Sequence, residues 1–298
     1  MDALTVACHG GAMSEERALS AQIAAAYDAA PYEPGPSPWL APSALLSVAA
    51  AFATAGPMDA VLDLGCGSGV MLEQAAATAG GPLVGYDLSA EAVRRANERL
   101  GGRARVVQAN LLDLDPAEAG RFDLIYCVGV FYVTPRQVGD RIVQLIGACL
   151  RQGGIALFSY YAGAAGAQRT QLARLLRNRV GFRGPPAMLV AEGRRQLASV
   201  QRTITEHASA TPQTLRAIAG LQSSPDVVFY HEVFSPSFEL VQTSELAGAL
   251  AAVDVGFATY LAPAPMFSGG TSADRAMAAD ALDLNDGGYR YAMFIKAI

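Results

Sequence analysis

The chain is poor in lysine, tryptophan and histidine. Lys296 is its only lysine and Trp39 its only tryptophan, and 298 residues hold three histidines, His9, His207 and His231. Positive charge therefore rests on arginine, and 22 basic against 27 acidic residues leave a net charge of −5. No basic run exists to follow a phosphate backbone, so no nucleic-acid partner is expected. The four cysteines, Cys8, Cys66, Cys127 and Cys149, lie far apart without a C-x-x-C pair. That spacing excludes a zinc ribbon or a redox pair, and no metal is expected. Gly, Pro or charge breaks every apolar run before the ~18 residues that span a bilayer, so no membrane association is expected. Met1 to Ala7 is acidic and lacks a signal-peptide pattern, which points to a cytoplasmic protein. The sequence carries no signal of oligomeric state.

What the chain has is a high apolar content, 52% hydrophobic and 16% charged, enough for a large core. Its most informative stretch is Val61-Leu62-Asp63-Leu64-Gly65-Cys66-Gly67-Ser68-Gly69. A short apolar strand runs into three glycines at every second position, and good helix formers follow from Val70 to Ala76. Strand, glycine turn and helix form the first crossover of a nucleotide-binding α/β fold. Glycines let a ligand approach the main chain, and the helix start offers free N–H groups. Dinucleotide sites favour G-x-G-x-x-G, whereas Val70 stands where the third glycine of that fingerprint would fall. Asp63 would repel a phosphate and attract an ammonium group.

These residues resemble motif I of the class I S-adenosylmethionine (SAM)-dependent methyltransferases. The resemblance implies a doubly wound, mainly parallel seven-stranded α/β sheet with SAM as cofactor. In that family the loop holds the methionine part of SAM, which implies Asp63, Gly65, Cys66 and Gly67 as its contacts. A second strand, Pro82 to Ser89, ends in Asp87, 20 residues after Gly67. An acid there can accept both ribose hydroxyls, with Ser89 capping the next helix and leaving Asp87 free. Leu88 follows it in the cofactor set. A third strand, from Arg105, exits at Asn110 and Leu111, where the family usually has an Asp for the adenine amine. Asn110 can still accept through its amide oxygen, and Asp113 is the competing candidate. A fourth strand, Phe122 to Tyr132, resembles the post-I motif. Asp123 at its start reads as structural, while its C-terminal end from Cys127 should open on the cofactor. The strand lacks the Asn/Asp-Pro-Pro-Tyr box used on exocyclic base amines and glutamine amides.

The rest of the chain completes this frame. Ser14 opens a helix over 14–30, and prolines from Pro31 to Pro38 end it in a stiff crossing. In many relatives an N-terminal aromatic segment covers the cofactor, which makes Tyr27 or Tyr32 a candidate contact. A helix over 42–55 precedes the glycine-loop strand. A helix over 137–150 and a fifth strand over 155–161 follow the fourth. Residues 163–222 read as helices broken at 181–186, an inserted cap rather than a domain with its own core. Residues 226–234 read as a strand or extended edge. A capped helix from Thr243, a sixth strand over 258–262, a long loop with a short helix over 263–288, and a last strand over 289–298 close the chain. The division is 1–56 N-terminal helices and covering segment, 57–162 core, 163–240 helical cap, and 241–298 the helix and strands that complete the sheet. A weaker resemblance, over 27–35 and 155–240, is to bacterial methyltransferases with a helical regulatory segment, some of which modify protein lysines.

In-line methyl transfer needs alignment of donor and acceptor more than a catalytic constellation. His231, beside Tyr230 and Glu232, is the best base candidate, with a hydrogen-bonded structural role as its alternative. Tyr132, Tyr160 and Tyr161 follow strand ends and are candidates for the acceptor pocket or the core, Tyr132 being the second catalytic candidate. The expected function is methyl transfer from SAM to an O, N or C atom of a small molecule or natural product. Alternatives are transfer to a peptide or protein lysine, a non-catalytic SAM-binding regulator, and a nicotinamide oxidoreductase, against which Asp63 and Val70 argue.

Overall fold

The computed structural model describes residues 3–298 except 34, 36, 53–55, 57, 117–120, 208, 209, 262, 263, 265, 285 and 286, and describes side chains from Glu15 onward. Seven strands form one sheet: β1 (Val61–Leu64), β2 (Leu83–Asp87), β3 (Arg105–Gln108), β4 (Phe122–Cys127), β5 (Leu150–Ala162), β6 (Val255–Tyr260) and β7 (Gly288–Lys296). Their order across the sheet is β3-β2-β1-β4-β5-β7-β6, with β7 antiparallel to both neighbours and the other pairs parallel. This is the doubly wound, Rossmann-like sheet of the class I methyltransferases.

The apolar runs explain the layering. Every residue of β1 and β4 is buried, as central parallel strands covered on both faces require. One core face gathers Leu62, Leu64, Ile125, Phe158 and Phe294, and the other gathers Val61, Tyr126, Leu124, Leu157 and Met293. Helices α3 (Val70–Ala75), α4 (Ala90–Leu100) and α5 (Arg136–Cys149) connect the parallel strands. Chain order runs outward from β1 to β3 and then returns to β4. The crevice between β1 and β4 is therefore the switch point where such folds bind ligands.

The N-terminal part crosses the top of this crevice. Helix α1 (Ala3–Ala29) leads into residues 30–33, and a one-turn 3-10 helix (Pro38–Leu40) precedes α2 (Pro42–Ala49). Pro34 and Pro36 of the expected crossing lie outside the described residues. The Tyr126 hydroxyl donates to the Leu40 carbonyl at 2.6 Å and pins the far end of this crossing to the core. The helix expected over 42–55 stops at Ala49, where a 3-10 turn (Ala50–Phe52) takes over, and 53–55 are outside the described residues.

After β5 come α6 (Gly163–Val180), α7 (Pro186–Glu206), α8 (Pro212–Ser223) and α9 (Asp226–Phe234). The expected strand over 226–234 is thus a helix. Its β-branched and aromatic residues mimic a strand in composition, but Phe229, Tyr230, Val233 and Phe234 fall on one helical face and are buried. Tertiary packing overrides propensity here. The cap also differs from expectation in having an apolar cluster of its own, with Leu176, Leu189, Leu197, Ile218, Leu221 and Phe229 at its centre and Ala26 and Ala30 packed against it.

Helix α10 (Thr243–Ala251) and α11 (Ser272–Asp283) flank the C-terminal strands. Asp254, with φ 62°, turns the chain early, so β6 begins three residues before the expected 258. No helix among the described residues is long and apolar enough to cross a membrane.

Candidate active site

A cavity of about 460 Å³ opens at the carboxyl ends of β1, β2 and β4, roofed by α1, residues 31–32 and α9. The glycine turn forms its floor. Gly65, Gly67 and Gly69 all have positive φ, between 52° and 80°, which L side chains rarely adopt. A Cβ on Gly65 would lie 2.3 Å from Val130 Cγ2, so the turn and the loop after β4 can approach only because that side chain is missing. At Gly67 a Cβ would meet no atom of the described residues within 4 Å beyond its chain neighbours, and the residue lines the cavity.

Two carboxylates flank this turn, in different states. Asp87 is satisfied: Oδ2 accepts from the Gly67 amide and Oδ1 from the Ser89 amide, both at 2.8 Å. Burial raises its pKa, and these N–H bonds oppose the rise. The expectation that Ser89 leaves Asp87 free needs correction. Ser89 does cap α4 by accepting from Ala92 N at 3.0 Å, but Asp87 is also tied to the main chain. Only its remaining lone pairs face outward.

Asp63 is 2% exposed, lines the cavity, and has an Oδ2 with no hydrogen-bond partner among the described residues. Burial first, and the Asp87 charge second, push its pKa up to about 8. A buried, unpartnered carboxylate oxygen is costly unless a cation or a proton meets it.

Most of the other expected cofactor positions gather here. Cys66, Leu88, Asn110, Leu111 and Tyr32 line the cavity, and so does Tyr27. Asn110 does so differently from expectation, because its amide oxygen accepts from Leu112 N at 3.0 Å and caps the turn Leu111–Asp113. That oxygen already has a partner. Asp113 is not among the lining residues; it pairs with Arg17 at 2.6 Å on the surface. Cys127 is also absent from the lining. It is fully buried as the last residue of β4, with its side chain in the core, and Val128, Gly129 and Val130 of the following loop open on the cavity instead. Asp123 sits at the opposite end of the strand, where Oδ2 accepts from Ala60 N at 2.9 Å and Oδ1 from Arg151 at 2.7 Å, a structural role.

The far wall is aromatic. Tyr132, Tyr161, Tyr289 and Tyr291 line it, with Tyr161 and Tyr289 at 4.9 Å and Tyr132 and Tyr289 at 5.9 Å between ring centres. Tyr289 and Tyr291 share one face of β7, which pairs with β5 so that Tyr161 lies opposite Tyr289. Neither was expected, although their spacing of two on a strand was the available signal. Tyr160 points away, into a buried hydroxyl chain with Thr243 and Tyr260. The Tyr289 hydroxyl bonds Ser159 Oγ at 2.7 Å, which accepts from Gly129 N at 2.7 Å. Burial holds Tyr132 well above the ordinary tyrosine pKa, so it stays neutral and is no base.

Glu232 lines the same wall. Its Oε1 accepts from the Tyr161 hydroxyl at 2.6 Å, and Arg169 forms an ion pair with it. Arg169 also lies 5.4 Å over the Tyr161 ring. Burial pushes Tyr161 up to about 12, with the Arg169 charge pulling the other way. Sequence reasoning placed Glu232 only as a neighbour of His231, and nothing in linear order links it to Arg169.

His231 lines the cavity but is not free for general-base work. Its Nε2 donates to the Ala30 carbonyl at 2.5 Å, and its ring stacks on Tyr27 at 4.1 Å. Burial lowers its pKa, opposed by the Ala30 bond. Among the described residues no group of three His, Cys, Asp or Glu is placed to hold a metal.

The sheet order and the glycine turn give a doubly wound, Rossmann-like α/β fold with two acids at the carboxyl ends of neighbouring strands. Residues 61–154 match the methyltransferase domain family. The chain is 31% identical over 142 residues, 45% of its length, to the uncharacterized protein RP028 of Rickettsia prowazekii, of which the match covers 56%. The structure of PKMT2 from Rickettsia typhi superposes with a TM-score of 0.72 at 19% identity, over 89% of this chain and 54% of that one. The same protein in complex with AdoHcy gives 0.71 at 21% identity. The plantazolicin methyltransferase BpumL, in complex with a triazolic desmethylPZN analog and SAH, gives 0.52 at 14% identity over 96% of this chain and 99% of that one. The chain thus spans about half the length of RP028 and PKMT2.

Proposed function

We propose that this chain is a SAM-dependent methyltransferase. The observation that carries the reading is the unpartnered Oδ2 of Asp63, buried at the edge of a glycine turn that leaves room for a ligand. A phosphate ligand would repel that oxygen; an ammonium group satisfies it. The residues fit SAM along its whole length: Asp63 and Gly65–Gly67 for the amino acid part, Asp87 and Leu88 for the ribose, Asn110 and Leu111 for the adenine, and Tyr27 and Tyr32 above. The Asn110 side chain, held by Leu112 N, leaves adenine recognition to its amide nitrogen and to the main chain of Leu111.

Bound SAM supplies a sulfonium-activated methyl group for in-line displacement. The chain's own contribution is alignment and exclusion of water, which α1, residues 31–32 and the cap provide by roofing the cavity. A proton leaving the acceptor has one well-placed destination. Tyr161 can take it while passing its own proton to Glu232 Oε1, a 2.6 Å step, with the Arg169 guanidinium paired to the same carboxylate.

The enclosed aromatic wall supports a small molecule or natural product as the acceptor, with the cap shaping its pocket. A second reading, transfer to a protein lysine, draws support from the extent of fold shared with PKMT2 of Rickettsia typhi. On either reading residues 57–162 and 241–298 form the catalytic core, 1–56 the cofactor cover and 163–240 the cap. Calorimetry with SAM and AdoHcy tests the cofactor, and failure of both to bind at millimolar concentration overturns the proposal. Incubation with radiolabelled methyl-SAM and extract of the source organism then separates labelled small molecules from labelled protein.

A further inference from the structure

Resting on the SAM reading above, we propose that His231 is a positioning residue that clamps the covering strap, residues 27–32, over the donor site, so that cap and strap close as one unit. The contact joins positions 201 residues apart in sequence. On one side stands α9, a cap helix. On the other is the end of α1 and the start of the crossing, whose Tyr27 and Tyr32 line the cavity.

The geometry is that of a clamp rather than of chance packing. A carbonyl can only accept, so the proton of the 2.5 Å bond to Ala30 resides on His231 Nε2. The imidazole lies nearly parallel to Tyr27, 14° between planes, while Tyr32 meets its edge at 6.2 Å and 86°. The two strap tyrosines that face the cavity therefore both touch the same cap side chain. The imidazole is 6% exposed and is kept neutral by burial, which preserves this one-donor arrangement at neutral pH.

The opposite edge of the strap is held by the core. Asp28 Oδ1 accepts from Ser89 Oγ at 2.5 Å and from Glu91 N at 3.1 Å, and Glu33 pairs with Arg95 at 3.1 Å. Those contacts anchor the strap to α4 and its N-cap, close in sequence to Asp87 at the end of β2. His231 supplies the contact from the cap, and the next residue, Glu232, holds Tyr161 of the acceptor wall. One helix thus touches the donor cover and the acceptor wall through consecutive residues. Opening the strap to exchange cofactor requires breaking the His231–Ala30 bond, and its loss should show mainly in dissociation.

The test measures AdoHcy release by stopped flow, using fluorescence of Trp39, the only tryptophan, which precedes the cavity-lining Leu40. His231→Phe keeps an aromatic ring and removes the donor; His231→Gln keeps a donor. His231→Phe is expected to speed AdoHcy release about tenfold, the equivalent of one hydrogen bond of about 1.4 kcal/mol, with little change in association. His231→Gln should recover most of the slow release. Equal release rates in wild type and His231→Phe would overturn the clamp, as would a Gln variant that releases as fast as Phe. Should His231→Phe fail to fold, Tyr27→Leu removes the stacked partner and must by itself speed release. Wild-type protein that binds neither SAM nor AdoHcy fails the cofactor reading itself, an outcome separate from any of these rates.

Discussion

Asp63 and Asp87 reach the same glycine turn from neighbouring strands, yet only Asp87 is satisfied by it. Gly67 N donates to Asp87 Oδ2 at 2.8 Å, whereas Asp63 Oδ2 is buried without a partner among the described residues. Two acids so close cannot share one environment equally, and the Asp87 charge adds to burial in raising Asp63. On the proposed reading the asymmetry gives them different ligand groups: hydroxyls to Asp87 and a cation to Asp63.

Asp63→Asn should therefore weaken SAM binding by roughly 30- to 300-fold, the 2–3.4 kcal/mol that one desolvated charge pair is typically worth. Binding at pH 7 should release about 0.9 proton in the wild type, since a carboxyl with a pKa of about 8 must ionise to meet an ammonium. Calorimetry in buffers of different ionisation enthalpy reads this directly. The Asn variant should release none, and proton release equal to wild type in that variant would show that Asp63 is not the linked group.

The ligand-free protein should lose stability as pH rises from about 4 to about 8. The folded state holds the Asp63 proton up to about 8, whereas the unfolded chain gives it up near 3.8, so in this window the folded state binds more protons. The slope of unfolding free energy is then negative, at most about 1.4 kcal/mol per pH unit for one group. Thermal unfolding across this range should show a flatter profile for Asp63→Asn than for the wild type.

Gly65 and Gly67 should respond differently to alanine. At Gly65 the new Cβ collides with Val130 at 2.3 Å in a backbone of φ 80°, so Gly65→Ala should cost about 3 kcal/mol or more of stability. At Gly67 no protein atom is in the way, and only the left-handed φ of 52° costs about 1–2 kcal/mol. Gly67→Ala should stay folded while AdoHcy affinity falls at least about tenfold. Circular dichroism melts paired with calorimetry distinguish the two, and full-strength binding by Gly67→Ala would place the ligand elsewhere.

Tyr161→Phe should leave AdoHcy affinity within about twofold and cut labelled-methyl incorporation by about 10²–10⁴, the usual range for a lost proton acceptor. The Glu232–Arg169 pair survives that change, so no buried charge is stranded. Normal incorporation would remove Tyr161 from proton transfer and leave it as an aromatic wall.

Much of this molecule is written locally in its chain. Alternation of short apolar runs with helical periods dictates a parallel sheet, because strands without polar positions need cover on both faces. The glycine turn, Asp63, Asp87 and Asn110–Leu111 are legible because each sits at a strand end, and strand ends converge at the switch point whatever the rest of the chain does. Tertiary structure alone decided the remainder. It turned 226–234 into a helix, since burial of one apolar face outweighed β propensity. It buried Cys127 and brought out Tyr289 and Tyr291, since register across β5 and β7 is a long-range property. It assembled Arg169, Glu232 and Tyr161, and seated His231 on Ala30, because contacts between residues far apart in sequence depend on how separate elements dock, and no local pattern encodes docking.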